Sequence, residues 1–154
     1  TCFTAGIELM LNSDVVIASS NCNFAQMEVQ RGIMPFGGAT VRFVAAAGWQ
    51  KAMPYLLTGK PFDAQTADRL NLVSEVVESG EEYERALTIA QEICKAAPLG
   101  VQGLLSSAQD ASRNGAKAAL ANIHSYLPHL FHSADAKEGA MAMVERRQAE
   151  FKGR

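Results

Sequence analysis

Two glutamates carry residue types and surroundings that could do chemistry. Glu8 lies in the run Ile7-Glu8-Leu9-Met10, and Glu28 lies between Met27 and Val29, just ahead of the Gly/Pro-rich stretch 32–38. A carboxyl set among apolar side chains is costly unless it is paired or used. A carboxyl in such surroundings could serve as a general acid or base. The residue pattern alone leaves two readings open, a catalytic pair or two half-exposed surface side chains.

Other chemistries find less support. His124, His129 and His132 are spaced by five and three residues with Pro128 between them, so they do not share one helix face. They read as solvated or capping histidines, and we expect no metal site. Cys2, Cys22 and Cys94 form no CxxC pair and read as reduced thiols. The sequence has no Walker loop, GxGxxG, HExxH or GxSxG. Gly37-Gly38 reads as a tight loop before a helix.

These residues need elements to position them. The apolar residues around Glu8 predict a short helix over 5–12, broken at Ser13-Asp14. Val15–Ala18 is of strand length, and Phe24–Gln26 is a second extended piece. Glu28 then approaches the loop through Gly38. Helices are predicted over 39–47, ended by Gly48, over 50–57, and over 64–70 with Asp63 as N-cap. Val73–Val77 returns to strand. From Glu81 the chain reads as helical, with Tyr83, Leu87, Ala90 and Ile93-Cys94 spaced as one buried face. Further helices follow Pro98, Ala116 (interrupted near Pro128) and Asp135. The expected division is a mixed α/β part, 1–78, and a helical part, 79–154.

The chain has 154 residues, 48% of them apolar, enough for a real core. Its net charge of −2 gives no global positive field of the kind nucleic-acid binding needs, so no nucleic-acid partner is expected. The longest apolar stretches, Val15–Ala18 and Phe43–Ala47, fall far short of the ~20 residues of a membrane span. The sequence opens without Met and runs from Thr1-Cys2-Phe3 straight into an apolar segment. We therefore expect the C-terminal half of a longer protein, with apolar surface bared at Phe3 and Ile7.

The motifs, taken in order, resemble those of the crotonase (enoyl-CoA hydratase/isomerase) family. Ala5-Gly6-Ile7-Glu8-Leu9-Met10-Leu11-Asn12-Ser13-Asp14 through Ala18 is similar to G-G-x-E-L-A-x-x-C-D-x-x-x-A. Phe24-Ala25-Gln26-Met27-Glu28 through Gly32 and Pro35 is similar to F-G-x-P-E-x-x-x-G-x-x-P. Leu57-Thr58-Gly59 with Ala64, Ala67 and Leu70–Val73 resembles L-T-G-x-x-x-x-A-x-x-A-x-x-x-G-L-V. Glu138-Gly139, Glu145-Arg146-Arg147 and Phe151–Arg154 resemble the family's E-G-x-x-A-F-x-E-K-R-x-P-x-F-x-G end.

The resemblance implies an α/β fold: a crotonase-type core of stacked ββα turns, here partial, followed by a helical region used for trimerisation. It implies an acyl-CoA thioester as substrate, with no separate cofactor. Hydration of a trans-2-enoyl thioester, as in fatty-acid β-oxidation, is the leading expectation. Isomerisation, another crotonase-family reaction, or a non-catalytic acyl-CoA-binding subunit are the alternatives. Glu8 and Glu28 fall on the two glutamate positions that hold the attacking water, twenty residues apart. Ala5 falls on the position of one oxyanion N–H. Gly6, Pro35, Phe36, Gly37 and Arg146 fall on substrate-binding positions, Arg146 where the family meets the CoA of a neighbouring subunit. Three departures bear on the site: Ala5 replaces a Gly, Met27 a Pro, and Phe36 the first Gly of the P-G-x-G-G loop, which alters the acyl pocket. The family's A-x-x-A-G-x-D segment, source of the second oxyanion N–H, is not in this sequence, so these residues alone should be inactive. The expected assembly is a homotrimer or dimer of trimers completed by the missing N-terminal half. The expected compartment is the cytoplasm, or the mitochondrial matrix if a transit peptide went with that half.

Overall fold

The computed structural model describes all 154 residues. Five short strands and nine α-helices alternate along the chain: β1 Cys2–Phe3, α1 Ala5–Met10, β2 Ile17–Ser19, β3 Asn23–Ala25, a 3-10 turn Glu28–Arg31, α2 Ala39–Ala47, α3 Trp49–Leu56, β4 Phe62–Asp63, α4 Ala64–Arg69, β5 Glu75–Val77, α5 Glu82–Cys94, α6 Pro98–Asn114, α7 Ala116–Asn122, α8 Leu127–Phe131 and α9 Ala134–Glu145. The chain divides into two compact units, Thr1–Thr88 and Ile89–Arg154.

The first unit is built from two small sheets. One has the order β1-β3-β4 and the other pairs β2 with β5. β1 runs parallel to β3, with Phe3 opposite Ala25, and β2 runs parallel to β5, with Ala18 opposite Val76. Parallel neighbours cannot be joined by a hairpin, so the chain must cross over between them. It does so twice in the same way: β1-α1-β2 and β4-α4-β5 each pass from the first sheet to the second through a six-residue helix. This alternation between sheets is the ββα turn expected from the sequence.

Short strands cannot hold such a structure by hydrogen bonds alone, and the core does it by packing. Phe24 from β3, Phe43 from α2 and Phe62 from β4 are buried, with the Phe24 and Phe62 rings stacked at 5.5 Å between centroids. The Tyr55 ring meets Phe62 edge-on at 4.8 Å, and Ile7, Leu56, Leu70 and Leu72 fill the space around them. Asp63 caps α4 by accepting the Thr66 N–H at 2.8 Å, in the role read from the sequence.

In the second unit the end of the chain folds back onto α9. Buried Asp135 accepts the Lys152 and Gly153 N–H groups, both at 2.7 Å, and its own N–H donates to Arg154 O. Glu138 receives Arg147 through two guanidinium nitrogens and also accepts the Glu150 N–H.

Four expectations are corrected. The α5 face is not buried: Tyr83 is 70% and Ile93 45% exposed, because a helical period marks a face and not the partner that covers it. Ile7 is fully buried and not bared, since it points from α1 into the core. Phe3 and Cys2, read as leading directly into a helix, form strand β1, and Phe62-Asp63 forms a strand that the sequence hid inside a turn. No helix is long and apolar enough to cross a membrane.

Candidate active site

The adjacent parallel strands β1 and β3 end side by side, and each hands the chain to a short helical turn carrying a glutamate. Glu8 sits in α1, behind Thr4, whose N–H donates to Ala25 O at 2.9 Å. Glu28 opens the 3-10 turn three residues after Ala25. Parallel-strand ends of this kind leave backbone groups and following turns free to form a site.

Both carboxyls are buried, Glu8 at 7% and Glu28 at 6% exposure. Each is anchored through Oε1. Glu8 Oε1 accepts the Gly37 N–H at 2.7 Å and the Ala39 N–H at 3.1 Å. The intervening Gly38 takes φ +106°, a conformation suited to glycine, and lets N–H groups two residues apart converge on one oxygen. Such charge-assisted bonds contribute about 1.5–3 kcal/mol each, which offsets burial of the carboxyl. A Cβ at Gly37 would overlap the Glu8 carboxyl, 2.8 Å from its Cδ, so a side chain there would have to displace that carboxyl. Glu28 Oε1 instead accepts the Gln26 side-chain N–H at 3.0 Å, while Glu28 Oε2 and Gln26 Oε1 have no partner in the chain. A buried carboxyl oxygen with no donor is expensive in a purely structural residue.

The remaining residues named from the sequence are placed as follows. Ala5 is the first residue of α1, directly after Thr4, which is turned to φ +49° and ψ −115°, outside the conformations a β-branched residue prefers. Gly6 lies one residue on, with Cys2 Sγ 3.3 Å from where its Cβ would stand. Pro35 is buried and Phe36 is 86% exposed. Gly37 is tied directly to Glu8, so the structure joins the loop to α1. Arg146 belongs to the second unit, exposed and left-handed at φ +54° just after α9. His132 Nδ1 lies 2.6 Å from Pro128 O at the end of α8. A hollow of about 380 Å³ lined by Cys2, Met10, Ile17, Cys22 and Phe24 includes neither glutamate.

Gln26 was given no role from the sequence. The signal was its place: Gln26 directly follows the apolar Phe24-Ala25, and all three are buried, so a polar side chain there stands out.

The description "Enoyl-CoA hydratase/isomerase" belongs to the family that matches this chain over residues 1–154. The chain belongs to the enoyl-CoA hydratase/isomerase family. Among curated relatives, a carnitinyl-CoA dehydratase of Proteus mirabilis is 34% identical over 99% of this chain and 60% of its own length. A 2,3-dehydroadipyl-CoA hydratase of Escherichia coli is 34% identical over 97% of this chain and 59% of its own. The chain thus spans about three fifths of these relatives. The fold agrees with solved members of the family. A "probable enoyl-CoA hydratase/isomerase" from Mycobacterium abscessus superposes at TM-score 0.96 with 48% identity, over 99% of this chain and 60% of that one. An enoyl-CoA hydratase from Mycobacterium tuberculosis does so at TM-score 0.94 with 31% identity, over 99% and 61%. The α/β crotonase architecture expected from the motifs is therefore the fold of this family.

Proposed function

We propose that this chain carries the acid–base residues of an enoyl-CoA hydratase, acting on a trans-2-enoyl thioester of CoA. The observation that supports the reading is the pair of buried carboxyls on adjacent parallel-strand ends, each fixed through one oxygen. Anchoring through Oε1 sets the direction of the second oxygen, and positioning of this kind is worth much of a catalytic barrier.

In the proposed reaction, Glu8 as carboxylate takes a proton from water as the water oxygen bonds to the β-carbon. The π electrons move towards the thioester, whose oxygen gathers negative charge and is met by the Ala5 N–H. Glu28 as carboxylic acid gives its proton to the α-carbon, through the Oε2 that has no other partner. The product is a 3-hydroxyacyl thioester, and one proton passing from Glu8 to Glu28 by way of solvent restores the starting state. The second oxyanion N–H must come from sequence outside these residues, so the competent catalyst is this chain together with the remaining part of the fold. In the same reading 79–154 is the oligomerisation region, supported by Met143 and Val144 at 84% and 83% exposure.

The test follows loss of the conjugated enoyl absorbance of crotonyl-CoA with the native protein and its Glu8→Gln and Glu28→Gln variants. Each variant should lose at least about a hundredfold in kcat, the lower end of the usual contribution of a positioned acid or base. If Glu8→Gln hydrates at the native rate, the hydratase reading is wrong. If the native protein binds the thioester without turning it over, a binding subunit takes its place. An isomerase would need only one base, and the presence of two anchored carboxyls favours hydration.

A further inference from the structure

We infer that Gln30 is a positioning residue for the turn that carries Glu28, acting as a strut from that turn to the Thr58-Gly59 corner. The inference rests on the proposed role of Glu28 and names a residue that does not touch its carboxyl. Glu28 opens a 3-10 turn of four residues, Glu28–Arg31, and a turn of this type holds itself poorly. The backbone bonds around it are long: Gln30 N–H to Met27 O at 3.1 Å, Ile33 N–H to Glu28 O at 3.2 Å and Gly32 N–H to Val29 O at 3.4 Å. Gln30 supplies the one hydrogen bond that runs from this turn to a remote segment. Its Nε2 donates to Thr58 O at 2.8 Å, across a separation of 28 residues.

The receiving end is itself fixed. Gly59 N–H donates to Tyr55 O at 2.8 Å, while Thr58 Oγ1 donates to Pro54 O and accepts the Lys60 N–H at 3.2 Å. The corner is thus fastened to the end of α3, and the Tyr55 ring there packs edge-on against Phe62 of the aromatic core. Through Gln30 the Glu28 turn is braced against that core. The corner is also shaped to take the strut. Gly59 turns at φ +64°, and Gln30 lies across it, with Nε2 3.0 Å and Cγ and Cδ 3.1 Å from where a Cβ would stand. A side chain at position 59 would meet the strut as well as left-handed strain. Gln30 is exposed, so deleting its side chain opens no cavity in the core. Its removal therefore probes the bond and not the packing.

The test follows hydration of crotonyl-CoA by the native protein and its Gln30 variants, well below the unfolding temperature. Gln30→Ala removes the strut and should lower kcat about three- to tenfold, the scale of one net hydrogen bond. KM should stay within about twofold, since only an interaction felt in the transition state is lost. Gln30→Lys restores a donor long enough to reach Thr58 O and should recover most of the lost kcat, a rescue that a merely stabilising surface residue would not show. Residues that act as a unit are not additive, so Gln30→Ala with Glu28→Gln should be no slower than Glu28→Gln alone. Native kcat in Gln30→Ala, no recovery in Gln30→Lys, or multiplied losses in the double variant would overturn the inference. Should Gln30→Ala not fold, Gln30→Glu decides in its place: it keeps the length and lacks the N–H, and native kcat there refutes the role. Failure of the underlying reading looks different, because then Glu28→Gln itself hydrates normally.

Discussion

Glu8 Oε1 and the Gly37 N–H meet at 2.7 Å across a sequence separation of 29 residues, which fastens the loop ahead of α2 to the glutamate of α1. In Gly37→Ala the new Cβ would displace the Glu8 carboxyl or push the loop away. We expect kcat for enoyl-thioester hydration to fall at least about tenfold, with a stability loss of about 1–3 kcal/mol typical of overpacking. Steady-state kinetics beside a denaturant titration measure both, and native kinetics would show that this contact does not position Glu8.

Phe62 touches more of the aromatic core than any other ring, meeting Phe24, Phe43 and Tyr55. Phe62→Ala should cost about 3–5 kcal/mol, the usual range for an aromatic deleted from a packed interior. Because β4 pairs with β3, which leads to Gln26 and Glu28, hydration activity should fall even below the unfolding temperature. Phe62→Leu, which refills most of the volume, should recover the larger part of the stability loss.

The folded-back end of the chain has its own pH signature. The Arg147 guanidinium on Glu138 and the Glu150 N–H lower the Glu138 pKa from 4.5 to about 2. A group lowered on folding favours the folded arrangement above its ordinary pKa and ceases to do so as pH falls through the lowered one. The strap should therefore be fully held at neutral pH and loosen between pH 4.5 and about 2. The Glu150 amide resonance should titrate with a midpoint near the lower end of that window. In Glu138→Gln the same resonance should show no such titration.

The three thiols should differ in reactivity. Cys94 is exposed on α5, whereas Cys2 is half-buried and its thiol is pushed up, first by burial and then by Cys22 nearby. Since the thiolate is the nucleophile, iodoacetamide at mild alkaline pH should modify Cys94 well before Cys2. Peptide mass mapping against time reads the order, and Cys2 labelling first would contradict the packing of β1.

Much of the site was legible before any coordinates. Glu8 and Glu28 drew attention because carboxyls rarely sit in apolar runs; the pattern left burial or half-exposure open, and the structure buries both. The helices after Gly38, Asp63 and Pro98 announced themselves by caps and breakers, which are local signals. What the sequence could not show were relations between distant residues. Nothing local says that Gly37 rather than a cation would satisfy Glu8, or that Gln26 would hold Glu28. The two-residue strands β1 and β4 are too short for periodicity to register and exist only through pairing with β3. The α5 face illustrates the converse, with a helical period that is unmistakable and a cover that period cannot supply. Sequence by itself determined which residues were chemically out of place and where helices begin and end, because side-chain type and local backbone preference act within a few residues. Tertiary structure alone decided which oxygen of each glutamate is held and by whom, because a hydrogen bond depends on where two remote parts of the chain come to rest.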